Sequence, residues 1–484
     1  MTVQEILQGI HTDGDYSAIG QIQINQLCFD SRKAAPGTMF FCIPGETTDG
    51  HLFAAKAAEA GASVIIAEHQ TQADAPHILV RDSREALFYA CANFYHHPER
   101  ELKFIGVTGT NGKTSTTFFI KELLDAMGIK SGLLGTVRNM IGNEILPSGF
   151  TTPEPLQLFE LFEQMRKAEV EYVVMEISSH ALCQNRVAGL TFDVGVFTNL
   201  TQDHLDFHKT MAAYKEAKYK LFEQSKACVF NVDDQTGKEF ADRTCEGVLN
   251  VTYSASSNDA DFVARDIALQ ADGVSFFLVT NGNLCRAHVS TPGKFTVYNA
   301  TAAVAALCSA GLPFGEITSH LDALKNVDGR AQIVATGKDF TVMLDYAHTP
   351  DALENILRTV RSYARGRIVT LFGCGGDRDK TKRPLMGRIA SRYSDFVIVT
   401  SDNPRSEKPA DIIADILPGV EHGGTPFTVI ENRKEAIGYA LQHAQKDDII
   451  LLAGKGHEKY QILSDGRIDF DEEQIVKEFL ADLK

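Results

Sequence analysis

"FIGVTGTNGKTSTTFFIKELL" occupies residues 104–124 and decides how the chain is read. An apolar run enters a Gly/Thr/Asn-rich turn, and Lys113-Thr114-Ser115-Thr116 then opens a segment whose apolar residues recur at helical spacing. Strand, glycine-rich turn and helix in that order aim backbone N–H groups and the positive helix end at an anion, so the turn reads as a phosphate site. In a nucleoside-triphosphate loop Lys113 meets the β/γ-phosphates and the Thr114 hydroxyl meets Mg²⁺. The strict GxxxxGK[ST] spacing is not met, because Val107 stands where its first glycine belongs. What remains is the shorter Gly109-Thr110-Asn111-Gly112-Lys113-Thr114. Its strand-before, helix-after setting favours a nucleotide loop over an ordinary turn.

At 484 residues the chain is too long for one core, and about 150 residues per domain suggests three domains. With 44% hydrophobic and 23% charged residues it has the composition of a globular protein. Its 47 basic and 63 acidic residues leave a net charge of −16, which argues against nonspecific nucleic-acid binding. Any anionic ligand must be held by local basic pockets. The nine cysteines stand singly with no CxxC pair, as free thiols in a reducing compartment do. "MTVQEILQGIHTDGD" lacks the basic-then-apolar order of a secretory signal, and "NATAAVAALCSAGL" is too short and Ala-rich to span a bilayer. A cytoplasmic protein, acting as a monomer, is expected.

Three α/β regions follow one another. Residues 1–98 alternate short strand-like runs ("TMFFCIPG", "ASVIIAEH", "HILVRD") with helical "HLFAAKAAEAGA" and "SREALFYACANFYHH". Residues 99–330 alternate "KFIGVTG", "VEYVVMEIS" and "FDVGVFTN" with helical stretches such as "PLQLFELFEQMRKA", the pattern of a buried parallel sheet. A β-rich insertion near 248–290 carries a hairpin with Asn-Gly at its turn. Residues 331–484 form a third, Rossmann-like α/β region. Its strands end in Gly, Asp or His, as where a parallel sheet's carboxyl ends line a crevice.

The shortened loop, with "TTPEP" (151–155), "MEISSHAL" (175–182), "FTNLTQDHLDFH" (197–208), "YNATAAVAA" (298–306), "GR" (329–330), "LDYAHTP" (344–350), "DNPR" (402–405) and "AGKGHE" (453–458), resembles the Mur ligase family. These landmarks span all three regions. The family joins amino acids to cell-wall precursors at the expense of ATP. The resemblance implies the step that adds the third peptide residue: meso-2,6-diaminopimelate joined to UDP-N-acetylmuramoyl-L-alanyl-D-glutamate through an acyl phosphate, with Mg²⁺ as cofactor. It further implies a UDP-binding N-terminal domain, a central ATPase domain of P-loop type and a C-terminal domain for the incoming amino acid.

Moving a phosphoryl group between anions demands cations. By resemblance, Lys113, Glu176, His204, Lys218 and Arg330 are catalytic, and Thr114, Glu176, His204 and Lys218 hold magnesium. Lys218, in "AAYKEAKYKLFEQ", looks like a solvated helical lysine by pattern alone. The family carbamoylates the lysine at this position, making it an anionic ligand (N6-carboxylysine). ATP contacts are implied for Gly109, Thr110, Asn111, Gly112, Lys113, Thr114, Ser115, Asn299, Arg330, Asp345 and His348. The UDP-substrate is implied to meet Phe29, Ser31, Glu46, Thr47, Thr48, Thr151, Thr152, Ser178, Gln184 and Arg186. One departure from the pattern is Phe150, where some relatives have Asn.

Diaminopimelate contacts fall by resemblance to Arg378, Asp402, Asn403, Pro404, Arg405, Gly454 and Glu458. Lysine and diaminopimelate differ by one carboxylate, so the discriminating group must be a donor at the far end of the pocket. Arg405 offers a rigid fork for that carboxylate, and Pro404 restricts the turn before it. The bland reading of Arg405 is a surface ion pair with Glu407. Two other functions compete: a relative such as folylpolyglutamate synthetase or another Mur step, against which "DNPR" and "SSHAL" argue, and an ATP-hydrolysing switch, which has no use for an amino-acid pocket.

Overall fold

The computed structural model describes residues 1–45, 48–243, 247–270 and 273–482. Two compact units share the chain: Met1–Gly106, Ile129–Asp193 and Lys220–Lys226 form one, and Val107–Gly128, Val194–Tyr219 and Ala227–Lys484 the other.

In the first unit, strands Gln26–Cys28, Thr38–Phe41, Ala62–Ala67 and His77–Leu79 make a parallel sheet in chain order. Phe40, Cys42, Ala54, Ala57 and Ile65 are buried together beside it. Small alanines on helix Ala54–Glu59 let the helix lie close to the strands. Asp82 caps helix Ser83–Phe94 by accepting from the amides of Arg84 and Glu85, at 2.9 and 2.8 Å. Further along the chain, Tyr172–Glu176 pairs in parallel with Ser131–Leu134, which continues antiparallel into Asn139–Ile141 and Glu144–Leu146.

The second unit holds the phosphate loop, the β-rich insertion and the C-terminal sheet. Strand Ser225–Asn231 runs parallel to Leu249–Ser254, followed by Phe262–Gln270, Gly273–Thr280 and Asn283–Val289. The last two form the expected hairpin. Asn281 and Gly282, both at positive φ (37° and 83°), make its turn.

Six strands build the C-terminal sheet in the order Gln332–Val334, Thr341–Asp345, Ile449–Ala453, Ile368–Phe372, Phe396–Val399, Phe427–Val429. All neighbours are parallel except the first pair. Buried on both faces, the central strands are near-continuous apolar runs ("IILLA", "IVTLF"), with Thr370 in the second satisfied by Ser394 at 2.7 Å. Helix Pro350–Tyr363 shows how the sequence covers one face. Thr349 caps it, Pro350 begins it, and Leu353, Ile356, Leu357 and Val360 form its buried stripe. Asp345, Gly373, Asp402 and Gly454 all lie at or just beyond strand carboxyl ends, so four chemistry-bearing segments converge on one edge.

The sequence reading missed the short strands Gln332–Val334 and Phe427–Val429 and the hairpin Tyr460–Leu463/Gly466–Asp469. Each has three or four residues, too few for an alternation pattern to stand out.

Arg433 and Glu472 pair at 2.7 Å with 1% and 2% exposure, and Arg433 also donates to the Ala453 carbonyl at 2.9 Å. The pair thus ties the last helix, Glu472–Asp482, to the end of a central strand. Arg433→Met strands a buried carboxylate and should cost about 3–5 kcal/mol, whereas Arg433→Met with Glu472→Leu should cost clearly less. Urea midpoints of the two variants check this; equal losses would contradict it.

Candidate active site

The phosphate loop has no room for side chains at its glycines. A Cβ on Gly109 (φ 148°) would lie 1.8 Å from Thr198 Oγ1, and one on Gly112 (φ 88°) 2.6 Å from Asn299 Oδ1. The strand end that follows Phe192–Phe197 grips the loop. The Thr110 amide donates to the Asn199 carbonyl (2.8 Å), the Asn111 amide to Asn199 Oδ1 (2.9 Å), and the Thr198 hydroxyl to the Asn111 carbonyl (2.6 Å). Helix Lys113–Ala126 packs against Ala-rich Lys294–Ser309. Asn299 sits inside that second helix and is 6% exposed.

Two amines converge on the loop from inside. Lys113 Nζ donates to the carbonyls of Gly109 (2.9 Å) and Thr110 (2.8 Å), and Lys218 Nζ donates to the same Gly109 oxygen at 2.8 Å. Lys218 is 1% exposed and lies 4.4 Å over the Tyr214 ring, so the solvated-lysine pattern is overturned by burial. Burial and the neighbouring Lys113 charge push the Lys218 amine well below the usual lysine range. Lys215, by contrast, pairs with Glu239 at 2.9 Å near the surface.

His204 follows Asp203 in the left-handed region (φ 53°), its Nε2 3.4 Å from Asp203 Oδ2. Burial pushes the Asp203 carboxyl up, but the charges of His204, His348 and Lys382 outweigh it and hold the group below the usual range. Arg330 Nη2 donates to Thr114 Oγ1 at 3.1 Å and its guanidinium lies 4.5 Å from the Tyr346 ring centre. Asp345 accepts the amides of Ala331 (2.7 Å) and Ala347 (2.8 Å), and burial raises its carboxyl despite Arg330. His348 Nδ1 donates to the Tyr346 carbonyl at 2.8 Å, which leaves Nε2 as an acceptor. Ser115, Thr296, Asn299, Asn326 and Arg330 line a small cavity beside the loop.

At the edge of the C-terminal sheet, Asp402 accepts the Asn403 amide (2.6 Å) and turns its other oxygen, buried, toward Gly454. A side chain at Gly454 would displace it, since a Cβ there falls 2.5 Å from that oxygen. Asn403 donates to Glu458 (2.9 Å) and accepts from Lys455 (3.0 Å). Arg405, after Pro404 and in the left-handed region (φ 53°), donates to the Gly376 carbonyl at 2.8 Å. Glu407 is engaged by Arg383 and Lys380, so the surface pair Arg405–Glu407 does not form. Arg378, exposed, flanks the same loop.

In the first unit Thr151, Thr152, Glu176, Ser178, Gln184 and Arg186 cluster at one strand end. The Glu176 carboxylate accepts the Thr136 amide (2.8 Å) and hydroxyl (3.1 Å). Thr152 Oγ1 donates to the Glu176 carbonyl, and Thr151 shares a 2.9 Å contact with Thr136. Ser178 caps helix Ser179–Cys183. Arg186 holds Thr152 (2.9 Å), Gln184 (2.7 Å) and Glu154 (3.1 Å), and its guanidinium lies 5.3 Å from the Phe150 ring. Phe150 therefore offers Arg186 an aromatic face where an Asn would offer an amide. Phe29 is partly exposed, Ser31 is buried and Thr48 is exposed. Glu46 and Thr47 lie outside the described residues.

Sequence reasoning missed Tyr214, Asp351 and Lys455. Tyr214 stands four residues before Lys218, on the same helix face, and meets Thr110 Oγ1 at 3.3 Å. Asp351 opens helix Pro350–Tyr363 and accepts from Asn111 at 2.7 Å. Lys455 lies within "AGKGHE", and its complete burial gave no signal in sequence.

Comparison with known proteins matches three segments. A model of the Mur ligase middle domain covers residues 107–307, one of the Mur ligase glutamate ligase domain covers 329–456, and one described as the Mur ligase family catalytic domain covers 23–95. The UDP-N-acetylmuramoyl-L-alanyl-D-glutamate--2,6-diaminopimelate ligase 1 of Clostridium acetobutylicum is 47% identical over 96% of both chains. The ligase of the same description from Bacillus velezensis is 46% identical over 95% of both. A solved structure of a UDP-N-acetylmuramoyl-L-alanyl-D-glutamate--2,6-diaminopimelate ligase superposes with a TM-score of 0.69 at 31% identity, over 100% of this chain and 99% of the other. A folylpolyglutamate synthase of Mycobacterium tuberculosis, at 17% identity over 77% of this chain and 93% of its own, shares the fold alone, with a TM-score of 0.64. With its N-terminal, central and C-terminal α/β domains in the family's order, the chain belongs to the Mur ligase family.

Proposed function

We propose that the chain is an ATP-dependent ligase that joins meso-2,6-diaminopimelate to UDP-N-acetylmuramoyl-L-alanyl-D-glutamate, forming the UDP-muramoyl-tripeptide of peptidoglycan synthesis. The observation that carries this reading is the 47% identity to a ligase of that description across 96% of both chains. Residues 1–98 serve the UDP-substrate, 99–330 ATP and 331–484 the amino acid. A monomer in the cytoplasm is part of this reading. Among the described residues no helix is long and apolar enough to cross a membrane.

The substrate carboxylate attacks the γ-phosphorus of ATP, ADP leaves, and the amine of diaminopimelate displaces phosphate from the resulting acyl phosphate. Lys113 gives up its carbonyl contacts for the phosphates, and Arg330, already at Thr114, adds a second cation there. Asn299, Asp345 and His348 serve the nucleoside. Thr114, His204 and carbamoylated Lys218 are the magnesium ligands of the second unit, and Glu176 that of the first. In the second unit a hydroxyl and one imidazole suit a hard cation, and the buried Lys218 amine, whose accepting partner is a carbonyl rather than a carboxylate, would become an oxygen ligand only as its carbamate. When bound, Mg²⁺ neutralises charge on the transferring phosphoryl group. Ser31, Thr152, Ser178 and Arg186 are assigned to the UDP-muramoyl-dipeptide, together with Phe29, Glu46, Thr47, Thr48, Thr151 and Gln184. Arg378 and Arg405 receive carboxylates of the amino acid, while Asp402 and Glu458 receive its ammonium groups.

Phosphate release should require ATP, UDP-muramoyl-dipeptide and diaminopimelate together, in a coupled assay across a panel of amino acids. Release with ATP alone would favour a switch. Lys218→Ala should retain less than about 1% of turnover, and intact-mass analysis of gently prepared protein should find a CO₂ adduct on Lys218. Full activity of that variant in bicarbonate-free buffer would refute the role. Arg405→Ala should lose about tenfold or more in preference for diaminopimelate over lysine, chiefly through the diaminopimelate kcat/KM. Equal use of both amino acids by the parent would remove the specificity assignment and leave the ligase.

A further inference from the structure

Lys382 opens helix Lys382–Tyr393 and is 6% exposed. Its neighbours are paired elsewhere: Lys380 with Glu407 (3.0 Å), and Arg383 with Glu407 and Asp415 (both 2.8 Å). Lys382 itself makes no hydrogen bond or ion pair among the described residues. Enclosing an ammonium with no hydrogen-bond acceptor in reach is costly, so the place it faces should matter.

That place is the phosphate loop's flank. Gln202 Nε2 donates to Thr381 Oγ1 and to Asp379 Oδ2, both at 3.2 Å, which sets Thr381-Lys382 against Gln202-Asp203. One residue earlier, Thr201 touches the loop itself: its amide donates to Thr110 Oγ1 (3.0 Å), its carbonyl accepts from the same hydroxyl (3.2 Å), and its own hydroxyl accepts from Asn111 (3.4 Å). Two hydrogen-bonded steps therefore join the start of this C-terminal helix to the loop that holds phosphate. The charge of Lys382 reaches Asp203, Asp379 and His348.

We propose that Lys382 is a further catalytic residue, contacting a non-bridging oxygen of the phosphoryl group as it passes from ATP to the substrate carboxylate. The inference rests on the ligase reading above. In the step it assists, a carboxylate oxygen forms a bond to the γ-phosphorus, the bond from that phosphorus to the β,γ-bridging oxygen breaks, and ADP takes the electron pair. Lys382 keeps its proton and acts by charge alone. Because it belongs to the segment that also carries Arg378, it links the amino-acid domain to phosphoryl transfer.

Lys382→Met and Lys382→Arg test this. With all three substrates saturating, Lys382→Met should lose about 100-fold in kcat, and Lys382→Arg should restore at least about a tenth of the parent rate. The KM for diaminopimelate should stay within about twofold. Lys382→Met should stay folded, with the far-UV circular dichroism of the parent, although it takes a cation away from Asp203 and Asp379. A kcat within about twofold of the parent overturns the proposal, as does a change confined to the KM for diaminopimelate. A lowered melting point with no rescue by Arg also overturns it, because it marks a structural role. If the parent releases no phosphate with all three substrates present, the ligase reading fails and this inference falls with it.

Discussion

One carbonyl oxygen, that of Gly109, accepts from both Lys113 and Lys218. It can do so because Gly109 adopts a conformation closed to other residues and because Thr198 occupies the space where a side chain would lie. Strand end, loop and two helices are thereby fixed around one peptide unit. Burial of Lys218 beside the charge of Lys113 disfavours the Lys218 ammonium. The arrangement is therefore poised for a ligand that supplies negative charge, whether phosphate or a carbamate.

The C-terminal sheet follows a related logic. Its central strands are almost wholly apolar on both faces, so polar groups gather at the strand ends. There Asp402, Asn403, Glu458 and Lys455 satisfy one another in a closed network that holds one Asp402 oxygen in reserve. Arg405 is kept extended by donating to the Gly376 carbonyl rather than to a carboxylate. A guanidinium held by a neutral acceptor retains its charge for a ligand. Contacts such as Asn111 to Asp351, Arg330 to Thr114 and Gln202 to Thr381 join this sheet's edge to the phosphate loop. The position of the loop is thus tied to the sheet edge that also carries Asp402 and Arg405.

Much of this was legible in the chain. Strand, loop and helix around residues 104–124 could be read because glycine demand, apolar periodicity and helix start are local properties. The same holds for the capped helix at Thr349-Pro350 and for the Asn281-Gly282 hairpin. Short strands such as Gln332–Val334 left no comparable trace, since their pairing partners rather than their own residues make them strands.

Sequence by itself determined which residue types stand at which turns: a glycine-rich loop before a helix, acidic and imidazole groups after strands, and an arginine behind a proline. Tertiary structure alone decided the state of those groups. Lys218 has the helical setting of an exposed lysine, yet packing over Tyr214 buries it. Lys455 and Lys382 stand in charged, polar stretches and are nonetheless enclosed. Glu407, the sequence neighbour that might have claimed Arg405, is taken by Arg383 instead. Burial and partner choice depend on what folds against a residue from distant parts of the chain, and no local pattern encodes that.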